Sequence, residues 1–165
     1  MRALRAPKIG FGEPVELALR VWPNDLDANG HMNNARYLGV VDLGLVTLFI
    51  RSKFLRLCIQ RGWRPMAGGQ VIYYRRGLNV FQRYTLRIVP VGWDEFWNYV
   101  RFDFVREGEL CATGIMKGAA AGRSGLVPTS EVYPALGYHE PSPPLPQDVL
   151  AWIAADRMLG QRTKR

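Results

Sequence analysis

The sequence predicts an α+β fold in which an antiparallel sheet curls around one long helix. Residues 34–49 form a helical pattern that is apolar almost all round, and such a helix needs cover on many sides. Several strand-like segments follow this helix in succession, which favours an antiparallel sheet over βαβ alternation. The 165 residues suit a single domain, residues 1–165, with its core at about residues 12–121 and a C-terminal loop and helix at residues 122–165.

The elements before the sheet follow from local patterns. Residues 15–21 alternate apolar and polar side chains, which is typical of a half-buried strand. A polar loop, residues 24–33, comes next, and Asn33 or Asn34 can cap the long helix. Residues 52–60 predict a shorter helix that ends at a glycine.

The middle and end of the chain predict further strands and one more helix. The predicted strands are residues 70–76, 83–91, 96–105 and 110–121. Gly108 lies in a hairpin turn between the last two strands. The segment at residues 122–146 is rich in proline and glycine and predicts a loop, whereas residues 147–159 have apolar side chains at helical spacing.

The net charge of +8 favours anionic partners such as phosphorylated cofactors, nucleic acid or an anionic membrane. No basic run interleaved with aromatic residues appears outside a short tail, so nucleic acid is not an expected partner. The most apolar stretch, residues 38–50, is shorter than the roughly 20 residues that a membrane span needs. Stable membrane insertion is therefore not expected.

The two cysteines predict buried free thiols and a cytoplasmic protein. Cys58 and Cys111 lie far apart in apolar surroundings, unlike the dense cysteines of a disulfide scaffold. With two cysteines and two histidines, no metal-ligand spacing appears. We expect neither a metal nor another cofactor.

The loop before the long helix is the place where reactive side chains cluster. Asp27, Asn29 and His31 are spaced by two residues, and the helix opens directly after them. A helix N-terminus stabilises a carboxylate and offers free N–H groups to a developing oxyanion. A base and an oxyanion site in one loop are what thioester hydrolysis needs. The alternative is that these residues only cap the helix and form turns, and that Asp42 within the helix is a structural, hydrogen-bonded carboxylate.

The string DLDANGHMNNARYL, residues 25–38, resembles the signature of hotdog-fold acyl thioesterases. It is similar to the 4-hydroxybenzoyl-CoA thioesterase family and its bacterial relatives, and to the second hotdog repeat of plant acyl-carrier-protein thioesterases. The resemblance implies a hotdog fold and hydrolysis of acyl-CoA or acyl-carrier-protein thioesters. It implies Asp27 as nucleophile or base, the Asn34 backbone N–H as carbonyl donor, and catalytic roles for Asn29 and His31.

The same resemblance implies how the substrate is held and how the chain assembles. Relatives are homodimers or dimers of dimers. The residues expected to contact the substrate are Gln70, Tyr37, Arg75 and Arg76. The two arginines lie on or beside the predicted strands, where they could meet the phosphates of CoA. The alternative is that they only form a solvated sheet edge. The plant enzymes use an acidic residue where this chain has Gln70, which can orient a water but cannot take its proton.

Two other functions stay open at this level. A non-catalytic acyl-CoA or acyl-carrier-protein binding or sensor module would keep the pocket and the charge without turnover. A hotdog dehydratase is less consistent with the sequence, because its pattern of histidine and acid is not evident here.

Overall fold

The computed structural model describes residues 9–162, which contain both strands and helices. The strands are Val15–Arg20 (β1), Arg64–Tyr74 (β2), Arg83–Trp93 (β3), Asn98–Arg106 (β4), Glu109–Gly122 (β5) and Gly125–Leu126 (β6). The helices are Asn34–Arg51 (α1), Phe54–Arg61 (α2), Thr129–Leu136 (α3) and Gln147–Arg162 (α4). A short 3-10 turn, Pro23–Asp25, precedes the polar loop.

The strands form one antiparallel sheet in the order β1-β3-β4-β5-β2, with β6 paired to β5. Strand β2 therefore lies at an edge of the sheet although it is the second strand in the chain. A break in the register between Ala67 and Gly69 bends this edge strand. The predicted α+β fold, a curled sheet around a central helix, is confirmed.

Helix α1 packs into the concave face of the sheet. Tyr37, Val41, Leu45 and Leu48 follow helical spacing and join the main core cluster. Their partners on the strands are Leu86, Ile88, Phe102 and Phe104. Gly44 allows the close approach, because a Cβ there would lie 2.3 Å from Ile88 Cδ1. The helix axis therefore crosses β3 nearer than a larger residue would permit.

The helix is not covered on all sides within one chain. Leu43 is 52% exposed and Val46 is 48% exposed, on the face that points away from the sheet. The prediction of a helix buried on most sides is therefore not met by the single chain on this face, although the sheet-facing stripe is buried as expected.

The second half of the chain departs from the predicted boundaries in two places. Strand β2 begins at Arg64, six residues before the predicted start at Gln70. The prediction of a loop over residues 122–146 is wrong, because that segment contains β6 and α3. Pro134 lies inside α3, and because proline disfavours the interior of a helix, the sequence did not indicate a helix there.

Helix α4 covers part of the outer face of the sheet. Val149, Trp152 and Ile153 pack with Tyr99 and Ile115, whose side chains point away from α1. An ion pair of 2.6 Å between Arg101 and Asp148 fastens its first turn. Among the helices of the described residues, none combines the length and the hydropathy of a membrane span.

Both cysteines are buried free thiols, as predicted. Cys58 packs with Phe54, Ala120 and Val132 beneath α3. Burial raises the pKa of the Cys58 thiol to about 11, because the thiolate would lose its hydration. At neutral pH this thiol is protonated and is a poor nucleophile.

The crossing of α1 and β3 can be tested with a matched pair of substitutions in one helix. Gly44→Ala should lower the free energy of unfolding by about 1–3 kcal/mol, because its Cβ would overlap the Ile88 side chain. Gly39→Ala should leave it unchanged or raise it by up to about 1 kcal/mol, because nothing lies within 4 Å of its Cβ. Urea unfolding of both variants measures the difference, and equal stabilities would contradict the close crossing.

Candidate active site

The polar loop folds into a tight turn before α1. The Asp27 N–H donates to the His31 carbonyl at 2.9 Å, and the Gly30 N–H donates to the Asp27 carbonyl at 3.1 Å. Gly30 has a φ of 78°, in the left-handed region that glycine adopts without strain. The turn brings the backbones of Asp27 and His31 side by side.

The two aspartates of the DLD string have different surroundings. Asp25 is 7% exposed, and its Oδ1 accepts from Arg36 Nε at 2.8 Å and from a terminal guanidinium nitrogen at 2.7 Å. Its Oδ2 accepts from the Trp22 N–H at 2.8 Å. Both oxygens are occupied, so Asp25 is a structural anchor that ties the loop to the first turn of α1. The D-x-D spacing in the sequence does not indicate that Asp25 pairs with Arg36.

Asp27 keeps one carboxylate oxygen available. Its Oδ1 accepts from the Asn29 N–H at 2.8 Å and from the His31 N–H at 3.4 Å. Within residues 9–162, no hydrogen bond uses its Oδ2. The carboxylate is therefore held in one orientation by one oxygen, and its second oxygen is left without a partner in this part of the chain.

His31 rests against the connection between β2 and β3. It forms a β-bridge with Asn79, and the neighbouring Met32 N–H donates to the Leu78 carbonyl at 2.7 Å. A Cβ on Gly77 would lie 2.6 Å from His31 Cδ2, so this glycine leaves the space for the imidazole. Gly77 was missed by sequence reasoning, because only the folded chain brings it next to His31.

The start of α1 leaves one backbone donor open. Asn33 caps the helix, and its Oδ1 accepts from the Ala35 N–H at 2.8 Å. The Asn34 N–H makes no hydrogen bond within the described residues. The Asn34 carbonyl accepts from the Tyr74 hydroxyl at 3.2 Å, which ties the helix start to β2. An uncapped N–H at a helix N-terminus attracts negative charge.

These groups border one groove of about 320 Å³. Its lining residues are Asp27, Asn29, His31, Met32, Asn34, Tyr37, Tyr74, Arg75, Arg76 and Gly77. The fold thus brings together all four predicted catalytic residues and three of the four predicted substrate contacts. Gln70 is the exception: it lies farther along β2, opposite Met116.

The wall of the groove contains an aromatic pair and two arginines. Tyr37 is buried, and its ring packs edge-on against Tyr74 at 5.1 Å between centroids. Burial raises the pKa of Tyr37 to about 12, so its hydroxyl stays protonated. Arg76 forms an ion pair with Glu109 across the neighbouring strand, whereas Arg75 belongs to none of the ion pairs of the described residues.

A second cavity, of about 200 Å³, lies between the second half of α1 and the sheet. Asp42 lies on its border with an exposed side chain. No hydrogen bond or ion pair of Asp42 occurs within the described residues, so the predicted role as a hydrogen-bonded structural carboxylate is not supported.

A central helix wrapped by an antiparallel sheet, with a polar loop at its N-terminus, defines this chain as a hotdog-fold protein. A sequence model of the thioesterase-like superfamily matches residues 21–153, and the chain belongs to that family. It is 30% identical to Protein THEM6 of Xenopus laevis over 135 residues, which cover 81% of this chain. The match spans 64% of that protein and 53% of its Danio rerio counterpart.

Solved structures show the same fold at low sequence identity. The probable thioesterase YbaW of Escherichia coli aligns with a TM-score of 0.66 and 16% identity, covering 70% of this chain and 90% of that one. A hypothetical protein of Staphylococcus aureus, solved in complex with CoA, aligns with a TM-score of 0.64 and 13% identity. That alignment covers 86% of this chain and 95% of the other.

The different surroundings of the two aspartates predict different stabilities after the same substitution. Asp25→Asn should lower the free energy of unfolding by about 1–3 kcal/mol, because an amide nitrogen would face a donor from Arg36 or Trp22. Asp27→Asn should change it by less than about 0.5 kcal/mol, because the amide oxygen can still accept both N–H groups. Denaturant titrations compare the two variants, and equal losses would refute the structural role of Asp25.

Proposed function

We propose that this protein hydrolyses acyl thioesters of CoA or of a carrier protein to the free acid and the thiol. The observation that carries the proposal is the meeting of the Asp27 carboxylate and the open Asn34 N–H in one groove. Membership of the thioesterase-like superfamily supports the reaction class. The proposal that CoA is the thiol part of the substrate is supported by the arginines of the groove and by the CoA complex of the Staphylococcus aureus protein.

Asp27 supplies the attacking group. Its free Oδ2 either attacks the thioester carbonyl carbon or takes a proton from a water that attacks it. The hydrogen bonds to Oδ1 hold the carboxylate in place during either step. The tetrahedral intermediate then expels the thiolate. On the general-base route the thiolate takes back the proton that Asp27 removed from water; on the nucleophilic route it takes a proton of the water that hydrolyses the acyl-enzyme. On the nucleophilic route, water hydrolyses the resulting acyl-enzyme anhydride.

The start of α1 stabilises the negative charge of the intermediate. The Asn34 N–H donates to the carbonyl oxygen, and the helix dipole adds its positive end at the same point. The Asn33 side chain accepts a hydrogen bond from the Ala35 N–H and leaves the Asn34 N–H available to the carbonyl oxygen. His31 and Asn29 flank Asp27 and orient the water or the thioester.

The phosphates of CoA would meet Arg75. This arginine borders the groove and has no carboxylate partner within the described residues, whereas Arg76 is already paired with Glu109. A free guanidinium beside the entrance suits a phosphate better than one that must first leave an ion pair.

We further propose that two copies of the chain associate through α1 and β2. Leu43 and Val46 leave an exposed apolar stripe on α1, and Val71 and Tyr73 are exposed on the edge strand. A second copy would cover both surfaces and shield the backbone groups of β2. Gln70, on the same strand, would then lie near the interface.

The carboxylate of Asp27 is the first target for mutation. Asp27→Asn should lower kcat/KM for acyl-CoA hydrolysis at least about 100-fold, because an amide neither attacks nor accepts a proton. Asp103→Asn is the matched control: it lies on the outer face of β4, and its oxygen can still accept from Thr113. Thiol release measures both variants. Near-normal turnover by Asp27→Asn would overturn the mechanism, and a wild-type chain that binds acyl-CoA without releasing thiol would favour a binding or sensor module.

The proposed phosphate contact predicts an effect on binding alone. Arg75→Ala should raise KM for acyl-CoA about 3- to 10-fold with little change in kcat, because the phosphates lie far from the reacting carbonyl. Arg123→Ala, in the exposed turn between β5 and β6, should leave both constants unchanged. Steady-state kinetics on acyl-CoA and on the matching acyl-pantetheine, which lacks the nucleotide, separate the effects. An equal loss on both substrates would contradict a phosphate contact.

A further inference from the structure

Two aromatic side chains lie exposed at one end of the β1–β3 edge of the sheet. Trp22, two residues after the end of β1, is 53% exposed, and Phe81, two residues before the start of β3, is 55% exposed. Their rings pack edge-on with 6.3 Å between centroids. Neither ring belongs to a core cluster of the described residues. The pair therefore forms an apolar patch that packing within this part of the chain does not require.

The backbone of Phe81 is held in a conformation that a bulky residue rarely adopts. Its φ of 62° lies in the left-handed region, which is unfavourable for a residue with a Cβ. The Phe81 N–H donates to the Val21 carbonyl at 2.8 Å, and the Val21 N–H donates to the Gln82 carbonyl at 3.0 Å. Gln82 Oε1 accepts from the Asn79 N–H at 2.8 Å and closes the turn. The turn thus holds an apolar ring in solvent at a conformational cost.

Two arginines flank the aromatic pair. Arg20 and Arg83 lie directly opposite each other in the register of β1 and β3. Strand alternation places both on the outer face of the sheet, because the adjacent Leu19 and Tyr84 pack into the core. The Arg20 guanidinium carbon lies 5.9 Å from the centre of the Trp22 ring.

The charge of these arginines is not balanced within the described residues. Like charges directly opposite each other destabilise a pair of strands. Neither Arg20 nor Arg83 belongs to an ion pair in this part of the chain. An anionic partner would relieve their repulsion and would do so beside the two exposed rings.

This patch is separate from the surface proposed for the association of two copies. Strand β2 lies at one edge of the sheet and β1 at the other, so association through α1 and β2 does not use Trp22 or Phe81. The patch does adjoin the candidate active site, because Asn79, in the same turn as Phe81, forms a β-bridge with His31. A partner bound here would lie beside the groove without filling it.

An anionic membrane surface matches both the rings and the arginines. Aromatic rings favour the headgroup level of a bilayer, where apolar and polar surroundings meet. Arginines are attracted to the negative surface of anionic lipids. Trp22 and Phe81 lie in connections beside strand ends, so their rings can enter the headgroup layer without displacing a strand. The net charge of +8 acts in the same direction.

We propose that Trp22, Phe81, Arg20 and Arg83 form a peripheral contact with an anionic membrane. The two rings lie among the lipid headgroups, and the two guanidinium groups bind their phosphates or carboxylates. The contact holds the turn that bridges to His31 close to the membrane. It does not depend on the proposed thioester hydrolysis and is expected whether or not the groove is catalytic.

Sedimentation with lipid vesicles tests this contact. The wild-type chain should bind vesicles of equal parts phosphatidylcholine and phosphatidylserine at least about 10-fold more tightly than vesicles of phosphatidylcholine alone. Trp22→Ser should weaken binding to the anionic vesicles at least about 10-fold, because a large apolar surface is lost. The backbone hydrogen bond of residue 22 to Asp25 does not involve the replaced side chain. Arg83→Gln should weaken the same binding about fivefold.

Matched substitutions elsewhere control for exposed apolar surface and for charge. Ile59→Ser removes an apolar side chain that is 75% exposed on α2, and Arg123→Gln removes a charge from the exposed turn between β5 and β6. Ile59→Ser should bind the anionic vesicles like the wild type, and Arg123→Gln should bind them more tightly than Arg83→Gln. Phe81→Gly should weaken binding at least about fivefold without lowering the urea midpoint of unfolding, because glycine adopts this φ without strain.

Equal binding of the anionic vesicles by the wild type and Trp22→Ser would overturn the proposal. So would vesicle binding that is the same at about 0.1 M and about 1 M salt, because salt screens the attraction of arginines to lipids. Binding of soluble polyglutamate without binding of the vesicles would assign the patch to an acidic protein instead. A raised KM of Trp22→Ser for acyl-CoA, with unchanged vesicle binding, would assign it to the substrate and would also contradict a membrane contact.

Discussion

The packing of α1 into the concave face of the sheet is the contact on which the other features depend. Its stripe of Tyr37, Val41, Leu45 and Leu48 supplies much of the main core, and Gly44 lets the helix approach Ile88 closely. This burial fixes where the helix begins relative to β2 and to the connection between β2 and β3. The position of the open Asn34 N–H is therefore determined by apolar packing along the helix, from Tyr37 in its first turn to Leu48.

The loop before the helix divides its polar residues between anchoring and chemistry. Asp25 has both oxygens occupied and binds the loop to Arg36, whereas Asp27 keeps one oxygen without a partner among the described residues. A buried carboxylate without partners would be costly, so the anchor requires its arginine and its backbone donor. The same helix thus presents a charged site at its N-terminus and an apolar cavity beside its second half.

The sequence allowed the fold and most of the residues that line the groove to be predicted, for identifiable reasons. Strand alternation and the apolar spacing of α1 are local patterns, and the dense polar string at residues 25–38 resembles a known family. The Arg36 anchor, the space beside Gly77 and the helix α3 could not be predicted in the same way. The Arg36 anchor and the space beside Gly77 depend on contacts between separate segments of the chain. Helix α3 contains Pro134, and a proline in the sequence argues against a helix. Gln70 was expected at the site because of its family position, but the strand places it farther along β2, opposite Met116.

The most direct measurement is a crystal structure with a CoA analogue in which a methylene replaces the thioester sulfur, so that the carbonyl is kept but cannot be cleaved by loss of thiolate. We expect the carbonyl oxygen to lie about 2.7–3.1 Å from the Asn34 nitrogen and the free oxygen of Asp27 to face the carbonyl carbon. The acyl chain should run between α1 and β2. A carbonyl bound away from the start of α1, or an Asp27 carboxylate turned from it, would contradict the account.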